Sequence, residues 1–272
     1  RYGFEPAEAW ARFNNSPAPL TLRANTLKIS RDELAAKLRD AGIECEPTAH
    51  ARDGLVVRSG NPLTSPLHNE GLFVVQDEAS QLVGSYAGAR PGETVLDACA
   101  SPGGKTLVMA GDMKGNGRIV AADVRPRRLK LLRETLARCG ASNITIVQAD
   151  VTAALPFPPV FDRVLLDAPC SGLGTVRRDP DIKWRRQEAE LQVLGAAQLR
   201  MLETVAGVVN AGGVIVYATC SSEPEENDDV VEVFTSRHPE FQVEGEPLRT
   251  LPFRDGLEAF FAAILVKTKH LR

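Results

Sequence analysis

The chain has 272 residues, 43% of them hydrophobic and 25% charged, with a formal net charge of −3. That length suffices for one sizeable core plus a smaller domain, and the composition excludes a disordered chain. A slightly acidic balance excludes a globally basic footprint, so any nucleic-acid contact has to come from local patches.

Five cysteines, at positions 45, 99, 139, 170 and 220, form an odd set with no CxxC pair. This argues against a disulfide framework and against a zinc site, so no metal is expected and the thiols should be reduced, as in the cytoplasm. No basic segment followed by an apolar run opens the chain, so no signal peptide is expected. The first residue is Arg1 and not methionine, which fits removal of an upstream segment. No membrane span is expected either, because Asn210, Gly212 and Gly213 interrupt the uncharged stretch 204–222 where a helix would stop.

In chain order, residues 1–70 read as a small N-terminal α+β domain. PLTLRANTLKI alternates as a strand does, and Ser30 with Glu33 forms a capping box opening a helix that carries Leu34, Ala35, Leu38 and Ala41 on one face. Gly42 closes that helix, GLVVRSG suggests the next strand, and Asn61, Pro62 and Pro66 mark a linker. Residues 71–272 then alternate strands with helices. ETVLDA, GRIVAAD, ITIVQAD, FDRVLLDA and GGVIVYATC are short apolar runs, separated by helical stretches such as RPRRLKLLRETLARCG, with Pro126 in its first turn and Gly140 at its stop. Continuous apolar strands between amphipathic helices imply a doubly wound α/β domain with a mostly parallel sheet, and FAAILVKTK is available as an edge strand.

Asp97, Asp123, Asp150 and Asp167 each end one of these runs. In an open parallel sheet the ligand crevice lies beyond the strands' carboxyl ends, so four acids in succession point to one rim; capping of the next turn is the alternative for any one of them. The turn DACASPGGKT lacks the glycine that a P-loop needs at position 99 and is not GxGxxG. Gly103 and Gly104 still let backbone approach a ligand in front of a helix N-terminus, which suits a nucleoside-bearing cofactor; a glycine turn that only closes a strand–helix joint stays open. Cys170 and Cys220 follow the fourth and fifth runs, so neighbouring strands would bring two thiols to one sheet end, beside Asp167. Free cysteine is often a small core residue, but Pro-Cys-Ser-Gly and Thr-Cys-Ser-Ser are polar turn settings, and a thiol near a helix N-terminus or a cation tends to ionise.

LDACASPGGKT, AADVRPRRLKLLRE, QAD, LLDAPCSGLGTVRRDPDIKW and YATCSSEPEEN together resemble the Sun/Fmu, RsmB-like RNA cytosine-5 methyltransferases over nearly the whole chain. The resemblance implies a Rossmann-like methyltransferase sheet with an antiparallel edge strand, an RRM-like N-terminal domain, and S-adenosylmethionine as cofactor. It implies Cys220 as the nucleophile that adds to cytosine carbon 6, Cys170 as the thiol that assists release, and Asp167 at the amino group and N3 of the base. DNA cytosine methyltransferases attack with a PC cysteine, so the reverse assignment stays open. By the same resemblance Cys99, Ala100, Ser101, Pro102, Gly103, Gly104 and Lys105 surround the methionine part of the cofactor, with Asp167 also on the cofactor side. Asp123 would hold the ribose, Asp150 would lie by the adenine, and Lys105 would also face the base. Arg128 is a further cofactor candidate, with a solvated helix face as the alternative. Ser101 departs from the alanine frequent in the family. So does the missing helical NusB-like domain that commonly precedes this region.

The basic loop RRDPDIKWRR, residues 177–186, and Arg23, Lys28 and Arg58 of the small domain are the candidate RNA surfaces. The expected partner is RNA, with 16S ribosomal RNA at a single-stranded or loop cytosine as the expected target and a monomer as the acting form. A non-catalytic RNA-binding or assembly factor and a nucleotide-dependent oxidoreductase are the competing readings.

Overall fold

Short β-branched runs become strands and the amphipathic stretches between them become helices in the computed structural model, which describes residues 1–268. Residue contacts group the chain into two compact units, Pro19–Ala149 and a second formed by Arg1–Ala18 with the chain from Asp150 onward. The second unit opens the chain with α1 (Phe4–Asn14).

The Pro19–Ala149 unit begins with β1 (Thr21–Ala24), α2 (Arg31–Asp40), β2 (Glu44–Pro47), β3 (Gly54–Ser59), α3 (Pro66–Asn69) and β4 (Phe73–Val75). These four strands form an antiparallel sheet in the order β2-β3-β1-β4. The capping box at α2 forms as the sequence predicts: the Ser30 side chain accepts from the Glu33 N–H, and Glu33 accepts from the Ser30 N–H. Leu34 and Leu38 on its inner face join Leu22, Leu55 and Phe73 in one core. The last strand lies beyond the expected boundary at residue 70. Its successive residues face opposite ways, so Phe73 enters this core while Val74 enters a second one with Leu107, Leu132 and Leu136.

That second core belongs to the remaining elements of the unit: α4 (Glu78–Tyr86), β5 (Thr94–Asp97), α5 (Gly104–Asp112), β6 (Arg118–Asp123), α6 (Pro126–Cys139) and β7 (Ile144–Gln148). Strands β5, β6 and β7 are parallel neighbours. Pro126 occupies the first turn of α6 and Gly140 ends it in the left-handed region, as expected. Buried Asn25 joins the two halves of the unit, its amide donating to Gly71 O and Cys139 O at 2.8 Å each.

The second unit continues with β8 (Phe161–Asp167), α7 (Ile182–Arg185), α8 (Ala189–Ala206), β9 (Val209–Thr219), α9 (Asp228–Arg237), β10 (Phe241–Thr250), α10 (Pro252–Asp255) and β11 (Phe260–Lys267). Strands β8 and β9 run parallel, and β11 lies antiparallel between β9 and β10. The strand order is β10-β11-β9-β8 in this unit and β5-β6-β7 in the Pro19–Ala149 unit. This is the expected Rossmann-like arrangement, except that β11 is internal and β10 is the edge. Gly245, Pro247 and a register shift between Glu244 and Leu248 hide β10 from its residue pattern. Lys269, at the end of the predicted final run, lies outside the described residues. No helix among the described residues is long and apolar enough to cross a membrane.

Replacing Asn25 by alanine leaves two buried carbonyls without a donor. Urea unfolding should show a loss of about 3 kcal/mol, whereas a change under about 0.5 kcal/mol, the range of an ordinary surface substitution, would mean that the amide does not join the two halves.

Candidate active site

Beyond β5 the chain turns through Ala98–Gly103 before α5 begins. Ala100 N donates to Ala122 O at 2.8 Å, tying the turn to β6. Gly103 sits at φ +103°, a region that L side chains rarely adopt, and a Cβ there would come within 3.0 Å of Leu132. Asp97 is buried and accepts from the Thr106 hydroxyl at 2.6 Å, locking the strand end to the first turn of α5. The turn and α6 are held reciprocally: Arg128 Nη2 donates to Ser101 O at 2.8 Å, and Ser101 Oγ donates to Arg128 O at 2.9 Å. Ser101, the departure from the family pattern, therefore does structural work through its hydroxyl. Arg128 also stands 3.3 Å from Asp123, so this residue is more than a solvated helix face.

Asp123, 3% exposed, ends β6 and accepts from Arg125 N through Oδ1 at 3.2 Å, while its buried Oδ2 receives no hydrogen bond. A buried carboxylate oxygen that no hydrogen bond occupies, with Arg128 Nε 3.3 Å away in an ion pair, fits a ribose diol. Cys99, Gly104 and Lys105 are half-buried and Pro102 is exposed along the same turn. Asp150 departs from expectation. It lies two residues past β7, is exposed, and caps its own turn by accepting from the N–H and hydroxyl of Thr152, which hold its carboxyl below the ordinary value.

In the other unit, β8 and β9 pair in register with Asp167 opposite Ala218. The chain leaves both strands at this end, and the turns bring Cys170 Sγ within 3.2 Å of Cys220 Sγ. Both cysteines are half-buried. The hydrogen bond to Cys220, burial and the Glu226 carboxylate push the Cys170 thiol well above its ordinary value. The Cys170 turn therefore does not favour ionisation, contrary to the expectation for a polar turn setting, and either sulfur can be the donor in their contact. A neutral S–H donor stabilises an anionic neighbour, so each sulfur is placed to support charge on the other. Gly174 makes room for this: its N–H donates to Cys220 O at 3.0 Å, and a Cβ would fall 1.9 Å from Ala259 O. Its sequence signal was only the glycine in SGLG.

Most of the basic side chains are engaged by neighbouring groups, Arg185 and Arg58 in exposed surface pairs. Arg177 donates to Ser16 O and Pro17 O, Arg178 pairs with Glu258, Arg185 with Asp179, and Arg186 Nε donates to Ser171 O. In that segment Trp184 remains 81% exposed, with Lys183 over its ring. The small-domain candidates are likewise engaged. Arg23 is buried in a central strand and donates to Gln76, Lys28 donates to Glu70 O and Arg138 O, and Arg58 pairs with Glu46. Alternation alone could not separate β1's faces, because both are covered. Among the described residues no cluster of three or more His, Cys, Asp or Glu side chains is placed to hold a metal.

Residues 87–266 match the family model described as 16S rRNA methyltransferase RsmB/F. The chain belongs to this family. Residues 1–64 match the ferredoxin-like domain described for RsmF/B-like methyltransferases, in agreement with the β2-β3-β1-β4 order. The chain is 37% identical over 256 residues to the probable ribosomal RNA small subunit methyltransferase B of Bacillus subtilis, covering 92% of this chain and 57% of that protein. It is 36% identical over 275 residues to ribosomal RNA small subunit methyltransferase B of Vibrio cholerae, covering 96% of this chain and 62% of that one. This RsmB/F chain thus spans about three fifths of the length of these relatives. A crystal structure of a methyltransferase homolog from Pyrococcus horikoshii superposes with a TM-score of 0.84 at 30% identity, covering 97% of this chain and 91% of the other.

If Cys170 holds the proton of the pair in this RsmB/F chain, iodoacetamide at neutral pH should alkylate Cys220 first, as read by peptide mass spectrometry. Faster labelling of Cys170 would reverse the two protonation states.

Proposed function

We propose that this chain is the catalytic part of an S-adenosylmethionine-dependent RNA cytosine-5 methyltransferase acting on small-subunit ribosomal RNA. The observation that carries the reading is the pair of sulfurs 3.2 Å apart beyond two parallel strands. Cytosine carbon 5 is a poor nucleophile, and a thiolate bonded at carbon 6 supplies the electron density that it lacks. Cys220, whose charge its neighbour can stabilise, forms that bond. Asp167 at the end of β8 would bond the amino group and N3 of the base, and Lys105 would face the ring. S-adenosylmethionine, when bound, supplies the electrophilic methyl that carbon 5 takes.

Cys170 then changes role. The anionic partner that kept its proton in place is consumed once the Cys220 sulfur is bonded to carbon 6, and the raised affinity for the proton falls. Cys170 can release that proton to solvent, accept the one leaving carbon 5, and so allow the electrons to expel Cys220 sulfur as thiolate. The two thiols act in sequence.

The cofactor residues are those of the glycine turn, Cys99 to Lys105, with Asp123 Oδ2 for the ribose and Arg128 holding the turn. Asp150, exposed and committed to Thr152, is a weaker candidate for the adenine. Extrusion of the target base from its stack makes a single-stranded or loop cytosine the easier substrate, with exposed Trp184 available to stack on a neighbouring base.

Cys220→Ala should lower methyl transfer from labelled cofactor to RNA by on the order of 10⁴-fold, with cofactor affinity unchanged. Cys170→Ala should accumulate a protein–RNA adduct that survives a denaturing gel. An adduct from Cys220→Ala alone would exchange the two roles, and undiminished turnover in both variants would remove the mechanism. Asp123→Ala should weaken S-adenosylmethionine binding by about tenfold or more, the cost of one charged hydrogen bond; an unchanged calorimetric affinity would place the ribose elsewhere.

A further inference from the structure

The segment Glu223–Asn227, whose residues carry part of the family pattern, has no role in the chemistry above. Two of its side chains are buried, Glu226 at 0% and Asn227 at 1% exposed. Glu226 turns its carboxylate to the Cys170 turn, accepting from Ser171 N at 2.7 Å and from the Ser171 hydroxyl at 2.5 Å. Its third bond comes from Gln198 Nε2 at 3.0 Å, and the same amide donates to Pro169 O at 3.0 Å. Asn227 serves the other turn. It accepts from the Thr219 hydroxyl at 2.5 Å and donates to Ser221 O at 3.0 Å. The residues immediately before and after each cysteine are thus bound to this one buried group of side chains, and the Ser171 and Ser221 hydroxyls meet at 3.3 Å.

A carboxylate taken out of water is tolerated only when its oxygens are supplied with donors. Here two of the three donors belong to the residue after Cys170, so the turn cannot shift without stranding the charge. Apolar packing holds strands together but leaves a turn free to slide by the few tenths of an ångström that decide whether two sulfurs touch. A directed, fully satisfied polar network removes that freedom.

We propose that Glu226 is a positioning residue, which with Gln198 and Asn227 clamps the turn of Cys170 against the turn of Cys220 and so sets the contact between their sulfurs. The inference builds on the reading that this pair carries the reaction, but its test needs neither RNA nor cofactor. Closure of a Cys170–Cys220 disulfide by the thiol oxidant diamide, followed by peptide mass spectrometry on the full chain, reports how often the sulfurs meet. Glu226→Gln keeps the side chain's shape but faces the Ser171 donors with an amide, and closure should slow at least tenfold. In a Cys220→Ala background the same change should move alkylation of Cys170 to lower pH, since the neighbouring charge is gone, a shift that a merely structural residue would not produce. Should Glu226→Gln fail to fold, Ser171→Ala removes a single donor and should slow closure at least threefold. Closure at the unaltered rate in the folded variant overturns the proposal. Glu226-dependent closure in a protein that does not methylate RNA would support it while removing the proposed reaction.

Discussion

A contact of 3.2 Å between two sulfur atoms is the constraint on which the reading of this molecule depends. It exists because β8 and β9 are parallel and adjacent, with Asp167 opposite Ala218, so both chains leave the sheet at the same end. Parallel strands require a long crossover between them, here supplied by α7 and α8, and the crossover contributes Gln198 and Arg186 back to the turn it started from. Proton sharing between the thiols follows from their separation. A pair a few ångströms wider would leave two independent cysteines, each closer to its ordinary acidity and neither able to answer a change in the other.

The Pro19–Ala149 unit carries the glycine turn and Asp123, and its ferredoxin-like sheet supports the start of α5. Arg23 in β1 is buried, and burial lowers its pKa to about 10. Its guanidinium donates to Gln76 at 2.7 Å and reaches Gly104 O at 3.4 Å, at the start of α5. Gln76 in turn packs close enough to Gly104 that a Cβ there would lie 3.1 Å from it. The small sheet thus buttresses the start of α5, and Arg23, which in the sequence looks like part of a basic RNA surface, is spent on that internal work.

Much of the fold was legible because its signals are local. The capping box at Ser30 and Glu33, Pro126 and Gly140 around α6, and the apolar runs of the parallel strands each encode their own geometry. Strands β2, β4 and β10 were not legible: they are short, polar or broken by Gly and Pro, and they exist through pairing with partners far along the chain. At the site, the two thiols and Asp123 could be read from strand ends, while the raised proton affinity of Cys170 could not. It comes from the contact with Cys220, from burial and from the Glu226 carboxylate, which lies 56 positions after Cys170 and which a sequence shows only as one more acid. The fates of Arg177, Arg178, Arg185 and Arg186 were hidden for the same reason, since a run of basic residues does not reveal which of them meets a carbonyl.

Identification of the sulfur that bonds to the base tests the account most directly. An RNA carrying 5-fluorocytidine at the target position blocks the final proton loss, so the covalent intermediate should persist and can be digested and sequenced by mass spectrometry. The modified nucleotide should be found on the peptide containing Cys220, with Cys170 free. A nucleotide on Cys170, or no adduct with an RNA whose unfluorinated form is methylated, would contradict it.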